Sequence, residues 1–325
     1  MIPKIAYARP HSLKEAVKEL SAPGTIAHAG GTDLLGCLRD GIVTPEKVIS
    51  LSGLSDLKGI ARTGDGGLRI GALTTLAEVA DDHVINEQFT ALAEAAASAA
   101  SPQLRNQGTL GGNLCQRPRC WYFRGEFHCR RKGGEICFAM NGRNEFHCIF
   151  GGQNCFIVHP SDSAPALVAL EARVRIANSR GTRTIPLDSF FVDPAKDVTR
   201  ENILRPGEII TEILLPAPVT QMRSSYRKAR ARGAWDFALS GVAIGLRFNG
   251  KRVDQARIVL SGVAPIPWRA VETEQALAGK ILDGETVARA AESAVRSAEP
   301  LSDNAYKIHL TQGIVHESLM ALRPE

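Results

Sequence analysis

Six of the seven cysteines in this chain of 325 residues lie within one stretch, from position 115 to position 155. Four of them are widely spaced, in the pattern C-x8-C-x7-C-x17-C: Cys120, Cys129, Cys137 and Cys155. Structural zinc sites usually contain two close cysteine pairs, and only Cys115 and Cys120 approach that spacing. Wide spacing is typical of an irregular loop around something larger than one ion, such as a cluster held by four thiolates. The spacing therefore favours an iron–sulfur cluster, with zinc and a structural or disulfide-bonded set as alternatives.

The same stretch carries most of the positive charge of the chain. It contains seven Lys or Arg residues and three Glu residues, while the net charge of the whole chain is +5. A four-thiolate cluster is a net anion, which these cations would offset. Seven of the eighteen aromatic residues also lie here and could shield a cluster from water. A total of +5 is small for a surface that tracks phosphates, which disfavours a nucleic-acid partner.

Two glycine-containing segments could bind an anion through backbone N–H groups. A short strand at 25–28 leads into the first segment, Ala29-Gly30-Gly31-Thr32-Asp33-Leu34-Leu35, where a helix is predicted to begin. The second segment is Gly108-Thr109-Leu110-Gly111-Gly112-Asn113, whose glycines would let the backbone approach a ligand. Each segment alone could also be an ordinary turn. The chain contains neither G-x-G-x-x-G nor a Walker A motif, which disfavours a Rossmann site and a P-loop NTPase.

The predicted elements around these segments alternate between helices and strands. The first unit has a helix from Ser12, which begins a capping-box sequence, to about Leu20 and strands at 25–28 and 48–50. Further predictions are an alanine-rich helix at about 88–100, a helix at about 164–170, and strands at 174–177 and 208–215. Pro216 and Pro218 indicate a boundary. Beyond it we predict strands at 225–230, 240–248 and 255–261 and helices at about 268–278, 284–298 and 305–322.

Composition and length limit the class of protein. With 44% hydrophobic and 22% charged residues, the chain does not resemble a disordered, collagen-like or integral membrane protein. No apolar stretch reaches the ~20 residues of a membrane span, and the N-terminus lacks the apolar core of a secretory signal. We therefore expect a soluble cytoplasmic protein of two domains, unless a partner with a Tat signal exports it in folded form.

Taken together, the motifs resemble those of one family. They are Ala29 to Leu35, Thr109 to Leu114, His159-Pro160-Ser161-Asp162, Gly207-Glu208-Ile209-Ile210, and Tyr226-Arg227-Lys228 leading to Asp236-Phe237-Ala238. This ordered set resembles the FAD-binding medium subunit of the molybdenum hydroxylases, the xanthine dehydrogenase family, over essentially the whole chain. The cysteine insert is similar to that of the branch with an extra [4Fe–4S] cluster, which includes bacterial aldehyde oxidoreductases and 4-hydroxybenzoyl-CoA reductase.

The resemblance implies an α+β fold with two domains. Residues 1–216 would form a two-lobed FAD-binding domain of the PCMH or vanillyl-alcohol-oxidase type, with lobes of about 1–55 and 56–216 and an iron–sulfur insert at 115–155. Residues 217–325 would form an α+β domain like the C-terminal domain of CO dehydrogenase flavoproteins.

The resemblance also implies which residues bind the cofactors. The first glycine segment would hold the FAD pyrophosphate, the second would lie on the other side of the cofactor, and Ala99 would lie on a helix beside the flavin. Asp162 would lie near polar groups of the flavin, Ile210 would contribute backbone contacts, and Lys228 would lie close to the ring. The residues predicted to bind FAD are Ala29, Gly30, Gly31, Thr32, Asp33, Leu34, Leu35, Ala99, Thr109, Gly111, Gly112, Asn113, Asp162, Ile210 and Lys228.

For the cluster, the implied ligands are Cys120, Cys129, Cys137 and Cys155. Cys115 is then a small buried residue and Cys148 a spare thiol, because relatives tend to have another residue at that position. No catalytic residue is assigned to the chain.

The implied function is electron transfer. A partner large subunit would hold molybdopterin and oxidise the substrate, and a small subunit with two [2Fe–2S] clusters would pass electrons to the FAD, which would reduce an external acceptor. The [4Fe–4S] cluster would be an extra electron site or a structural element. The holoenzyme is expected to be an aldehyde oxidoreductase. Alternatives are an aryl-CoA reductase such as 4-hydroxybenzoyl-CoA reductase, a stand-alone flavin oxidase, and a zinc-stabilised nucleic-acid-binding module.

Overall fold

A computed structural model describes residues 4–233 and 235–324 of the chain; residues 1–3, on which part of the signal prediction rests, lie outside it. The first unit contains β1 (Ala6–Ala8), α1 (Leu13–Leu20), β2 (Thr25–His28), α2 (Leu34–Arg39) and β3 (Lys47–Ser50). Its strands form a parallel sheet in the order β1-β3-β2. The predicted cap is present, since the Ser12 side chain accepts a hydrogen bond from the Glu15 N–H.

A second sheet follows, with five antiparallel strands in the order β4-β5-β8-β6-β7. The strands are β4 (Ile60–Arg62), β5 (Leu68–Gly71), β6 (Arg173–Asn178), β7 (Gly181–Pro186) and β8 (Ile209–Leu215). The sequence predicted β6 and β8 but not β4, β5 or β7. The two edge strands β4 and β7 bury no side chain completely, so they lack the apolar alternation of an inner strand.

Helices pack beside the second sheet and frame the cysteine insert. They are α3 (Leu76–Asp81), α4 (His83–Gln88), α5 (Thr90–Ser98), α6 (Pro102–Arg105), α7 (Leu110–Leu114), α8 (Trp121–Arg124) and α9 (Ser163–Ala169). The alanine-rich α5 lies in the core, where its small side chains allow close packing against α3, α9 and a strand of the last sheet, β9 (Met222–Ala229). It ends at Ser98, before the predicted residue, because the backbone of Ala99 is extended (φ −73°, ψ 135°) and that of Ala100 is left-handed (φ 47°).

The last unit contains a third sheet and three covering helices. The antiparallel order β12-β11-β10-β9 is formed by β9 (Met222–Ala229), β10 (Ser240–Asn249), β11 (Arg252–Ser261) and β12 (Trp268–Arg269). The helices are α10 (Val271–Leu277), α11 (Gly284–Ser293) and α12 (Tyr306–Ala321). The predicted helix start at Trp268 is wrong, because Trp268 and Arg269 pair with β11 and the helix begins at Val271.

The boundary predicted from Pro216 falls in the connection between β8 and β9. Across it, the Tyr226 N–H of β9 donates to the Glu94 carboxylate of α5, at 2.6 Å. Within 4–233 and 235–324, we find no helix with the length and apolar character needed to cross a membrane.

Candidate functional site: two adjoining cofactor sites

A cleft of about 1120 Å³ opens between the two glycine segments. One wall is the connection between β2 and α2, and the other is the start of α7. Leu73 and the first residues of β8 also line the cleft. The residues predicted to bind FAD that line this cleft are Ala29, Gly30, Gly31, Thr32, Asp33, Leu34, Thr109, Gly111, Gly112 and Ile210.

Close approach of the two segments explains their glycines. A Cβ atom on Gly30 would lie 1.8 Å from the Gln107 carbonyl oxygen, so any larger residue would push the segments apart. Gly31 has a φ of +74°, which is strained for every residue with a side chain. In the second segment, the Thr109 hydroxyl accepts from the Gly112 N–H and caps α7. The glycines therefore set the width of the cleft.

A second cavity of about 1060 Å³ continues the cleft toward β9. It shares Thr32, Thr109 and Gly112 with the first cavity, and together we name the two the glycine cleft. The further predicted residues that line it are Ala99, Asn113, Asp162 and Lys228. Leu35 lines neither cavity, since its side chain is half-exposed on α2. Ala99 does not lie on a helix as predicted but caps the C-terminal end of α5.

A buried ion pair lies at the end of the glycine cleft. The Lys228 ammonium donates to Asp162 Oδ2 at 2.8 Å and to the Ser98 carbonyl at 3.3 Å. The Tyr226 hydroxyl donates to Asp162 Oδ1 at 2.6 Å. Burial raises the pKa of Asp162 in spite of the nearby ammonium, and it also raises the pKa of the Tyr226 phenol. Tyr226 and Lys228 share one face of β9, whereas Arg227 points away and pairs with Glu317.

The four cysteines predicted as cluster ligands line one small cavity, which we name the cysteine cavity. These cysteines are Cys120, Cys129, Cys137 and Cys155. Three phenylalanines and two arginines also line the cavity: Phe123, Phe138, Phe156, Arg130 and Arg131. A hydrogen bond from Cys155 lowers the pKa of Cys137 to about 6, and the same bond and burial raise the pKa of Cys155.

The other cysteines lie elsewhere. Cys148 is fully buried outside the cysteine cavity, and burial raises its pKa. Cys115 lines the glycine cleft, where burial and the Glu201 charge raise its pKa to about 12. All seven cysteines lie in the described part of the chain and carry free thiols. Among the described residues, no three His, Cys, Asp or Glu side chains converge closely enough to hold one metal ion.

One histidine of the insert, His147, lines the cysteine cavity. His147 Nε2 lies 3.2 Å from Cys120 Sγ, and burial followed by the Lys307 charge lowers the pKa of this ring to about 4. Its Nδ1 has no hydrogen-bond partner within the described chain. The Asn304 amide donates to the carbonyls of His147 and Cys148, both at 3.1 Å. Hydrogen bonds from the last unit therefore hold the backbone of His147 in place.

Arginines of the insert, of which Arg131 is buried and the others are partly buried, bind acids that belong to other elements. Asp33 pairs with Arg119 and Arg124, and Glu201 pairs with Arg117 and Arg131. Although burial alone would raise the pKa of Asp33, the Arg119 charge and the hydrogen bonds outweigh it and lower that pKa. The sequence indicated the excess of positive charge in the insert but not these partners, which are more than 65 residues away along the chain.

A third cavity, of about 900 Å³, lies between the two sites. It shares Asp162 and Phe237 with the glycine cleft and Cys120 and His147 with the cysteine cavity. Trp235 and Phe237, which the motifs did not single out as ligands, line the glycine cleft from the connection between β9 and β10. The glycine cleft and the cysteine cavity are therefore neighbours in one region of the molecule.

Comparison with protein families divides the chain into two matched regions. Residues 3–218 match the family described as FAD binding domain in molybdopterin dehydrogenase. Residues 224–322 match the CO dehydrogenase flavoprotein C-terminal domain.

Similar proteins cover nearly the whole chain. The chain is 35% identical to the aldehyde oxidoreductase FAD-binding subunit PaoB of Escherichia coli (strain K12), over 98% of both chains. It is 30% identical to the carbon monoxide dehydrogenase medium chain of Hydrogenophaga pseudoflava, over 93% of this chain and 89% of that one.

Solved structures show the same fold. A carbon monoxide dehydrogenase chain from Hydrogenophaga pseudoflava superposes with a TM-score of 0.80 at 27% identity, over 100% of both chains. Quinoline 2-oxidoreductase from Pseudomonas putida 86 gives a TM-score of 0.77 at 26% identity, over 99% of this chain and 98% of that one. The predicted architecture, an FAD-binding domain followed by a CO dehydrogenase flavoprotein C-terminal domain, is confirmed.

Proposed function

Because this chain belongs to the family of FAD-binding subunits of molybdenum hydroxylases, it is an oxidoreductase subunit, and we propose that it transfers electrons through FAD and a [4Fe–4S] cluster. The observation that carries the proposal is the gathering of Cys120, Cys129, Cys137 and Cys155 around one cavity beside the glycine cleft. Their spacing along the chain and the family resemblance single out the same four cysteines. Cys115 and Cys148 are excluded from that cavity in the described chain.

The lining of the glycine cleft suits a dinucleotide. Its walls carry glycine backbone at Gly30, Gly31, Gly111 and Gly112. The Gly111 N–H donates to the Ala72 carbonyl and the Gly112 N–H to the Thr109 hydroxyl, so the N–H groups that would meet a diphosphate are those of the first segment. The glycines of the second segment would allow a ligand to approach the backbone closely. The apolar Ala99 and the buried ammonium of Lys228 lie in the second half of the cleft, where the flavin ring would bind. FAD supplies a centre that takes electrons singly and releases them in pairs. A cation at this place favours the reduced, anionic ring.

The lining of the cysteine cavity suits an iron–sulfur cluster. In a cubane each iron takes its own thiolate, and four cysteines line this cavity. Phenylalanines at positions 123, 138 and 156 cover the cavity, and Arg130 and Arg131 line it with positive charge. These features would shield an anionic cluster from water and compensate its charge.

We propose further that the chain works within a heterotrimer. One partner would be a large subunit with molybdopterin, and the other a small subunit with two [2Fe–2S] clusters that delivers electrons to the FAD. The relatives support this proposal, since they are named as a medium chain and as an FAD-binding subunit. The 35% identity to an aldehyde oxidoreductase subunit favours aldehydes as substrates of the holoenzyme, with an aryl-CoA reductase as the second candidate. FAD would then reduce an external acceptor.

For the domain boundaries we propose 1–216 and 217–325, with lobes of about 1–55 and 56–216 and the insert at 115–155. The two family matches, at 3–218 and 224–322, support a division at this place. The parallel sheet of the first unit and the antiparallel sheet of the second correspond to the two proposed lobes.

The proposal is tested by the iron, sulfide and flavin content of the full chain purified without oxygen. We expect about four iron atoms with equal sulfide and about one FAD per chain. C120A, C129A, C137A and C155A should each lose iron, whereas C115S and C148A should retain it. Zinc without flavin would contradict the whole assignment, and FAD without iron would contradict the cluster alone. Aldehyde and aryl-CoA substrates offered to the complete enzyme then separate the two candidate reactions.

A further inference from the structure

We propose that Asp33 is a positioning residue that couples FAD binding in the glycine cleft to the presence of the cluster in the cysteine cavity. The inference rests on the proposed function and adds to it a link between the two cofactors. The link is a set of contacts from one carboxylate to the segment that carries the first predicted cluster ligand, Cys120.

The Asp33 carboxylate accepts three hydrogen bonds from the cysteine insert, and the Cys37 thiol of α2 lies 3.9 Å from its Oδ1. Its Oδ2 accepts the Arg117 N–H at 2.7 Å, and its Oδ1 accepts from Arg124 at 2.8 Å and from Arg119. Asp33 also occupies the N-cap position of α2, where aspartate usually accepts a helix N–H. Within the described chain it makes no such bond, because its side chain is turned to the arginines. Hydrogen bonds to the insert therefore take the place of the usual hydrogen bond from an Asp N-cap side chain to the first turn of its own helix.

The two arginines lie on either side of Cys120. Arg119 directly precedes it, and the Arg124 N–H donates to the Cys120 carbonyl at 2.9 Å, which closes the single turn of α8. Iron bound to Cys120 Sγ would hold this turn in one position and therefore hold both guanidinium groups. Loss of the iron would leave the turn anchored by weaker contacts and would let the arginines move.

On the other side, Asp33 belongs to the first glycine segment. The Leu35 N–H donates to the Gly31 carbonyl and the Cys37 N–H donates to the Asp33 carbonyl, both at 3.1 Å, so the carboxylate and the segment are joined through one short turn. The side chains of Asp33, Arg119 and Arg124 are only 16%, 28% and 15% exposed, so water and salt screen their attraction weakly. A shift of the arginines is thereby transmitted to backbone that lines the glycine cleft.

Thermodynamic linkage makes the coupling reciprocal. If the cluster raises the affinity for FAD by some factor, FAD raises the retention of the cluster by the same factor. A chain that has lost its cluster to oxygen would therefore release FAD more readily, and a chain without FAD would lose iron faster. Both effects require the Asp33 charge.

A double-mutant cycle on the full chain tests the coupling. The four proteins are wild type, D33N, C129A and the double variant, each prepared without oxygen and stripped of flavin, and the measurement is the dissociation constant for FAD. C129A should prevent the cluster from binding. Cys129 is buried and lies outside the segment from Arg119 to Arg124, so the substitution does not alter the contacts of Asp33 directly. D33N keeps the size of the side chain and removes its charge.

We expect C129A to weaken FAD binding about tenfold, within the usual range of coupling between sites. D33N should weaken it by a similar factor, and the double variant should bind FAD no more than about twofold more weakly than either single variant. D40N is the matched control, because Asp40 caps the other end of α2 and pairs with the exposed Arg39. It should bind FAD like the wild type.

Two results would overturn the inference. In one, C129A lacks iron but binds FAD with the wild-type constant. In the other, the two substitutions multiply to about a hundredfold loss, as independent structural damage would. Iron content separates these results from failure of the proposed function, in which the wild-type chain itself would bind no iron.

Discussion

Lys228 Nζ lies 2.8 Å from Asp162 Oδ2, and the two side chains are only 3% and 7% exposed. The lysine belongs to β9 of the last sheet, whereas the aspartate precedes α9, so the ion pair joins the two matched regions of the chain at the glycine cleft. The Tyr226 hydroxyl holds the second carboxylate oxygen. The charge at this end of the glycine cleft, where we propose that the flavin ring binds, is therefore set in part by a strand outside the matched FAD-binding domain.

We expect K228M to destabilise the protein by about 3–5 kcal/mol, because it leaves a buried carboxylate without its cation. Adding D162N should recover part of this loss, since the unpaired charge is then removed. The measurement is urea unfolding of the full chain without flavin. D254N breaks a more exposed ion pair with Arg247 and should cost less than about 1 kcal/mol. Equal losses for K228M and D254N would show that the buried pair contributes little.

We expect G30A to abolish or strongly weaken FAD binding. The added Cβ would lie 1.8 Å from the Gln107 carbonyl oxygen, so the two glycine segments would have to separate. Crowding of this kind costs about 1–3 kcal/mol. The measurement is FAD titration followed by flavin fluorescence, with G64A as the control because no described atom lies within 4 Å of its added Cβ. Unchanged affinity in G30A would mean that the two segments do not bind the cofactor together.

Much of the fold could be predicted where local signals agree. The capping sequence at Ser12, the apolar runs of β2, β8, β10 and β11 and the apolar α9 were found at nearly their observed positions. The cysteine set could be selected because ligand spacing and motif order are properties of the chain itself. Whether those four thiols are ligands stays a prediction.

Contacts made by tertiary docking could not be predicted. Nothing near Asp33 indicates that its carboxylate meets Arg117, Arg119 and Arg124, since that contact depends on how an irregular insert folds back over α2. Residues Trp268 and Arg269 form a strand rather than the start of a helix because the edge of β11 is available to them. Tertiary context overrides local preference at both places.

We expect a pH-dependent loss of stability from His159. Its ring is 5% exposed and lies 4.8 Å from the Phe191 ring, and burial lowers its pKa to about 3 from an ordinary value of 6.5. The Arg131 charge acts in the same direction. Between those two pKa values the unfolded chain binds a proton that the folded chain does not, so stability falls as the pH decreases from 6.5 toward 3.

For a single ring the slope is about 1.4 kcal/mol per pH unit. The measurement is urea unfolding of the wild type and H159N at several pH values in this window, and the slope should be smaller in H159N by up to that amount. H83Q, which changes an exposed histidine, is the control and should keep the wild-type slope. Parallel curves for the wild type and H159N would contradict a buried neutral ring.

The contact of His147 with Cys120 makes a prediction about the proposed cluster itself. With Nε2 at 3.2 Å from Sγ, the ring can donate an N–H to a cluster thiolate, and such bonds stabilise the reduced, more negative state. H147L should therefore lower the midpoint potential of the cluster, whereas H147Q, which keeps an N–H at similar reach, should remain near the wild-type potential. The measurement is a redox titration followed by electron paramagnetic resonance. H128L removes an exposed histidine of the same insert and should not change the potential. Equal shifts in H147L and H147Q would assign the effect to packing around Trp121, whose ring lies 5.5 Å from that of His147, rather than to the hydrogen bond.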